Sequence, residues 1–419
     1  MIKVSQKADT LIGSEIIRLN GEINQKAREG HKIFNLTIGD FDPALFPIPD
    51  VYKEEIIQAY RDNQTNYPPA DGMAALRQAV AAYIKANTGL DYSPDQYLIA
   101  AGGRPIIYTV YQALLDPGDT VVYPVPSWNN NHYCHLTDAK KVEIQTRPED
   151  GFLPTAEELA PHLAEATLVA LCSPLNPTGT LFQENQLKEI CRLIVEENRR
   201  RGNTRKPLYL LYDQIYWILT SGDHKHINPV SLMPEMKEYT LFVDGISKAL
   251  SATGVRVGWG MGPEHVIGKM KSLLGHIGAW APKAEQVALA KFLNNTEAAS
   301  AFNHTLKEKI NARFHAIYDG FSALKVKGYP VNCIEPQGAI YLSVQFSLKG
   351  RTTANGTVLN DTKDIGTFLL EEAHWAIVPF TAFGAHGDTD WFRVSVGTVK
   401  MEEIPDMFEY LEKALSGLR

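Results

Sequence analysis

Several residues of this 419-residue chain have the types and spacing that chemistry at a carbonyl requires. Lys248 follows Ser247 and precedes Arg256 within one segment, DGISKALSATGVRVGWG, so an amine and a guanidinium stand close along the chain. Such an amine becomes a nucleophile toward carbonyls when burial or neighbouring cations lower its pKa. Asp213 and Tyr216, in LLYDQIY, offer a carboxylate and a phenol, and Asn176 in NPTG offers an amide. Gly102-Gly103-Arg104-Pro105 combines a glycine turn with a proline suited to a first helical turn, where free N–H groups can hold a phosphate. Trp128 offers an aromatic plate, and Arg393 in WFRVSVG a planar fork that matches a carboxylate. Singly, each has an ordinary explanation: a strand-end Asp is usually a turn or cap residue, and Gly-Gly before Pro a tight turn.

The elements that must position these groups are strands. YLIAA (97–101), TVVY (120–123), KVEIQ (141–145), TLVALC (167–172), LYLLY (208–212), TLFVD (240–244) and RVGWGM (256–261) alternate with helical stretches such as 105–115 and 183–200. Several are continuous apolar runs, as in strands buried on both faces. Ligands of open α/β sheets bind outside the carboxyl ends of the strands. There the runs deliver Gly103 and Arg104, Trp128, Asn176, Asp213 with Tyr216, and Ser247 with Lys248. The expected fold is α/β, with a mostly parallel central sheet, helices on both faces and a smaller α+β domain. Residues 1–45 read as an arm joining the small domain, 46–295 as the large domain, and 296–419 as the small one, entered through an amphipathic helix over 297–325. A further helix is predicted over 14–29. NLTIGDFDPALFPIPD (35–50) reads as a long ordered loop of the kind that is often functional.

Taken together, the groups are those that pyridoxal-phosphate chemistry needs: a Schiff-base lysine, a carboxylate for the ring nitrogen, a phosphate cup, an aromatic cover and an arginine for the substrate carboxylate. The segment around Lys248 resembles the S-K-x5-G-x-R-x-G signature of fold type I aminotransferases, the aspartate aminotransferase superfamily. NPTG at 176–179, D-x-x-Y at 213–216, YPPADGMAALR at 67–77 and WFRVSVG at 391–397 look like the same family, in its order. The resemblance implies pyridoxal 5′-phosphate as cofactor and transfer of an amino group between an amino acid and a 2-oxo acid, 2-oxoglutarate with glutamate as one pair. It implies a ping-pong mechanism through an aldimine on Lys248. Asp213 would pair with the ring nitrogen, and Tyr216 and Asn176 with the phenolic oxygen. Trp128 would stack on the ring, and Gly103, Arg104, Ser247 and Arg256 would hold the phosphate. Tyr67 would reach the phosphate from a neighbouring subunit of a homodimer, and Arg393 and the Gly39 backbone would receive the α-carboxylate. Gln214 departs from the family's D-E-x-Y, and Arg104 stands where small polar residues or Lys-Gln are commoner, open to either phosphate or substrate.

The same anchors would serve a lyase acting at Cα or Cβ, because orientation at Cα decides which bond breaks. A pyridoxal-phosphate-sensing regulator would need a DNA-binding module, for which the chain has no spare N-terminal domain. The net charge of −7 argues against nucleic acid or an anionic membrane as bulk partner. No apolar run approaches the ~20 residues that span a bilayer. Four scattered cysteines fit a reducing, cytoplasmic setting. His132-x-Cys134-His135 and His224-x-His226 lack a second pair at zinc spacing, so no metal is expected. Arg199-Arg200-Arg201 reads as a solvated helix C-terminus.

Overall fold

Every apolar run expected as a strand becomes one in the computed structural model, which describes all residues except 1–3, 12, 14–18, 20, 22, 24, 27 and 31. After β1 (Phe34–Asn35) come β2 (Tyr97–Ala100), β3 (Thr120–Val125), β4 (Lys140–Gln145), β5 (Ala166–Cys172), β6 (Tyr209–Asp213), β7 (Thr240–Gly245) and β8 (Gly258–Met261). β2 to β8 form one sheet in the order β2-β8-β7-β6-β5-β3-β4. Only β8 runs antiparallel to its neighbours, β2 and β7; the remaining pairs are parallel. The other six strands therefore end at the edge where β8 begins. That single reversal brings Arg256, just before β8, to the rim where Lys248 leaves β7.

Continuous apolar strands are explained by cover on both faces, since successive side chains point opposite ways. Leu168 and Ala170 of β5 pack with Ile106 and Val110 of the helix Gly103–Leu114 on one side. Val169 and Leu171 pack with Leu187, Ile190 and Ile194 of the helix Glu184–Arg201 on the other.

The C-terminal part adds β9 (Val331–Cys333), β10 (Tyr341–Phe346), β11 (Trp375–Ala376), β12 (Val378–Pro379) and β13 (Trp391–Ser395). β12-β13-β10-β9 is an antiparallel sheet. The helix Thr296–Val326 leads into it, capped by the Asn295 side chain. Its Leu306, Ile310, Phe314, Ile317, Phe321 and Leu324 are buried at the three- and four-residue spacing of one helical face. β1 pairs in parallel with β11, and Leu36 O accepts from the Ser395 N–H at 2.8 Å. The loop predicted over 35–50 thus runs from the second sheet to the rim of the first. Part of the helix predicted over 14–29 lies outside the described residues; Leu19, Ile23 and Lys26 are helical, and Ile23 is buried.

The triple arginine corrects the expectation of a solvated terminus. Arg199 and Arg200 are exposed and paired with Glu235 and Glu197. Arg201 is 3% exposed. Its Nη2 donates to the carbonyls of Leu163 (2.6 Å) and Ala166 (2.7 Å), its Nη1 to Lys206 O (2.9 Å), and its Nε to Glu197 (2.7 Å). Those carbonyls end a helix and begin β5, where buried acceptors need donors. Among the described residues no helix is long and apolar enough to cross a membrane.

Candidate active site

A cavity of about 330 Å³ opens at the carboxyl edge of the large sheet, walled on its far side by β10 and β13. The structure brings to it every site residue expected from sequence except Tyr67: Lys248, Asp213, Tyr216, Asn176, Gly103, Arg104, Trp128, Ser247, Arg256, Gly39 and Arg393 all line it.

Lys248 sits in the short helix Ile246–Ala249 after β7, and its Nζ donates to Gly39 O at 2.6 Å. Burial pushes its ammonium down to about 8; Asp40 opposes the shift, while Arg393, Arg104 and Arg256 add to it. The carboxylate of Asp213, at the end of β6, accepts from the Ile215 N–H at 3.0 Å and from no other donor among the described residues. Burial pushes its carboxyl up to about 6.

Arg256 adopts φ +66° and donates to Thr253 O (2.7 Å) and Ala101 O (2.8 Å), which plants its guanidinium against Gly102. Gly102, at φ +89°, admits no side chain: a Cβ there would collide with that guanidinium. Beside it Gly103 opens the helix Gly103–Leu114, whose first N–H groups face no intrahelical acceptor. The Arg104 guanidinium lies 5.5 Å from the centre of the Trp128 ring and forms no ion pair or hydrogen bond among the described residues.

Arg393 of β13 is 2% exposed. Its Nη2 donates to Thr37 O at 2.5 Å and its Nη1 to Asn176 Oδ1 at 3.1 Å, while its buried Nε has no partner. Tyr341 and Phe383 bracket the guanidinium, their ring centres 4.6 and 4.8 Å away. Because Arg393 takes the Asn176 amide oxygen, the Asn176 NH2 is left to donate elsewhere in the cavity.

The cavity is thus lined by Lys248 and three arginines against two carboxylates, Asp40 and Asp213. That charge pattern and donor set fit a phosphorylated pyridoxal and a carboxylate substrate. A ring nitrogen that carries a proton is the partner the buried Asp213 otherwise lacks.

The family model for aminotransferase class I and II matches residues 31–411. The chain belongs to that family. Among relatives of this aminotransferase, a probable aspartate/prephenate aminotransferase of Rickettsia bellii is 31% identical, over 93% of either chain. The aspartate/prephenate aminotransferase of Thermus thermophilus is 30% identical, over 92% of each. The fold matches a crystal structure of aspartate aminotransferase from Rhizobium meliloti with a TM-score of 0.91 at 26% identity, covering both chains fully. It matches the Thermus thermophilus aspartate aminotransferase with maleate at 0.86 and 28% identity, over 99% of this chain and all of that one.

Tyr67 lies outside its own chain's cavity, 82% exposed, with its ring edge-on to Trp280 at 5.4 Å. Sequence reasoning missed Tyr341 and Phe383. Tyr341 opens β10 and its hydroxyl lies 2.7 Å from that of Tyr216. Nothing in IYLSV distinguishes it from an ordinary strand tyrosine. The histidine motifs have structural partners: His135 Nε2 meets Lys7 O at 2.8 Å, and His226 Nε2 meets Gln214 Oε1 at 3.4 Å. No group of His, Cys, Asp and Glu among the described residues could hold a metal ion.

Proposed function

We propose that this aminotransferase binds pyridoxal 5′-phosphate in the cavity and moves amino groups between acidic amino acids and 2-oxo acids by a ping-pong mechanism. The observation that carries the reading is the buried Lys248 amine, lowered to about 8, sharing one cavity with the cation-free carboxyl of Asp213 and the open Nε of Arg393. When bound, pyridoxal phosphate supplies an aldehyde for a lysine amine and a ring that accepts the electron pair released at the substrate Cα.

In this reading Arg256, Ser247 and the Gly103 N–H receive the phosphate, with Trp128 over the ring. Asp213 holds the proton at the ring nitrogen, and Tyr216 and Asn176 donate to the ring's phenolic oxygen. Arg393 and the Gly39 backbone grip the α-carboxylate, which fixes the bond to be broken. Lys248, once released, moves a proton at the substrate Cα. Arg104, the cavity arginine whose guanidinium makes no hydrogen bond among the described residues, is assigned to the distal carboxylate of an acidic substrate; the aspartate aminotransferase names among the relatives support this choice.

The same reading takes residues 1–45 as an arm, 46–295 as the large domain and 296–419 as the small one. It makes the enzyme a homodimer in which the exposed Tyr67 serves the partner's phosphate. With all four cysteines free, a cytoplasmic setting is the natural one.

The test is spectroscopic. The purified holoenzyme is mixed with single amino acids, without any 2-oxo acid. Aspartate or glutamate should convert the visible band to that of pyridoxamine phosphate, and 2-oxoglutarate should restore it. Ammonia release with an unchanged band would exclude amino transfer. Lys248→Ala should abolish turnover.

A further inference from the structure

Tyr341 touches three of the residues just assigned. Its hydroxyl lies 2.7 Å from that of Tyr216, both groups buried. Its ring lies under the Arg393 guanidinium, 4.6 Å from centre to Cζ. Its hydroxyl also presses on Gly39, where a Cβ would stand only 2.7 Å from it. Gly39 is the residue whose carbonyl accepts from Lys248, so a single phenol abuts the amine's partner, the carboxylate-binding arginine and the second phenol of the site.

Only one hydrogen can lie between the two hydroxyls, and chemistry decides whose it is. Burial pushes both hydroxyls up and Arg393 opposes that in each, but its guanidinium is stacked on the Tyr341 ring and not on that of Tyr216, which makes Tyr341 the more acidic of the pair. The more acidic hydroxyl donates. The Tyr216 oxygen then accepts, and its own hydrogen is turned away from Tyr341, toward the cavity that both residues line. A donor that itself accepts a hydrogen bond is also polarised into a stronger donor.

We infer that Tyr341 is a positioning residue. It donates to Tyr216, which directs the Tyr216 hydrogen at the phenolic oxygen of the cofactor, and its ring supports Arg393. Substrate carboxylate arriving at Arg393 thereby acts on the same phenol pair that tunes the cofactor. This rests on the pyridoxal-phosphate reading above.

The experiment is a pH titration of the holoenzyme's visible band in wild type, Tyr341→Phe, Tyr216→Phe and the double variant. Donation to the phenolic oxygen draws away electron density that would otherwise hold the titrating proton. Weaker donation in Tyr341→Phe should therefore raise the midpoint by about half a pH unit, the scale of one neutral hydrogen bond. Tyr216→Phe should raise it further, and the double variant should match Tyr216→Phe, because Tyr341 acts through Tyr216. A midpoint unmoved in Tyr341→Phe, or shifts that add in the double variant, would overturn the assignment. Tyr341→Phe keeps the ring, so the KM for 2-oxoglutarate should change less than twofold, whereas Tyr341→Leu, which removes the stack, should raise it several-fold. Equal KM values in the two variants would also count against it. Absence of any visible band in reconstituted wild type would overturn the cofactor reading itself, a result distinct from a normal band that ignores Tyr341.

Discussion

The amine of Lys248 and the carbonyl of Gly39, 209 positions apart in the chain, are joined by a 2.6 Å hydrogen bond. Gly39 belongs to the segment that is hydrogen-bonded to β13 at Leu36 and to Gly397 at Asp42. The reactive amine, carried by the large sheet, is therefore parked on a strap held by the other sheet. An incoming aldehyde must draw the amine off that carbonyl, and only the neutral amine attacks.

Burial lowers the Lys248 ammonium to about 8, so the share of free amine grows as pH rises toward that value and levels off beyond it. The rate at which apoenzyme takes up pyridoxal phosphate should follow the same curve, rising through about pH 8. Stopped-flow absorbance between pH 6 and 9.5 checks this. A flat profile would contradict a neutral-amine requirement.

Arg393 offers a rigid fork and an open Nε, whereas a lysine offers one point charge. Arg393→Lys should raise the KM for 2-oxo acids by about 10- to 100-fold, the scale of a lost charge-assisted bond. Bound pyridoxal phosphate per subunit should stay as in wild type; loss of cofactor would move Arg393 out of substrate binding.

Arg104 should sort substrates. Arg104→Gln keeps a polar side chain beside Trp128 and removes the charge, so kcat/KM for aspartate and glutamate should fall by about 30-fold or more. Aromatic or neutral amino acids should change by less than about threefold. A uniform loss across substrates, with weaker cofactor retention, would place Arg104 on the phosphate.

Asp213 makes the apoprotein's stability depend on pH. Its folded-state carboxyl titrates at about 6, above the ordinary 3.8, so the native state binds the proton more tightly than the unfolded chain does. Its contribution is full below about pH 4 and is lost as pH rises through 6. The loss is on the order of 3 kcal/mol. Urea unfolding of apoprotein at pH 4.5 and 7.5 should show about 2 kcal/mol of this difference in wild type, and Asp213→Asn should flatten it. Bound cofactor, by returning a cation to the carboxylate, should offset the loss at neutral pH.

The placement of Asp213, Asn176 and Lys248 was legible because each follows a continuous apolar run, and a strand buried on both faces leaves its chemistry at its ends. Arg201 was not legible. A cation at a helix C-terminus is ordinarily solvated, and only the packing of that helix against the carbonyls of Leu163 and Ala166 buries it. Tyr341 was hidden for a related reason: its role is fixed by what crosses from the other sheet, and no local pattern records that. The reversal of β8 was equally invisible, since GWGM has no feature that states a direction.

Arg201 yields a stability prediction. Arg201→Ala strands two buried carbonyls and takes from Glu197 one of its two arginines, and should cost about 3 kcal/mol. Chemical denaturation should show a lower midpoint with kinetics of the folded enzyme unchanged. Arg200→Ala, an exposed residue paired with the same Glu197, should cost under about 1 kcal/mol.

The direction of β8 has one more effect. Because β7 leaves and β8 enters at the same edge, Lys248 and Arg256 belong to a single short connection, pinned to the large sheet at both ends and tied to Ala101 by the guanidinium. The spacing between the amine and the Arg256 guanidinium is therefore a fixed gauge, set within one piece of chain. Arg393 and Gly39 arrive on other pieces, linked to each other by the Leu36–Ser395 and Asp42–Gly397 hydrogen bonds. A ligand that spans the amine and the guanidinium therefore meets one fixed length.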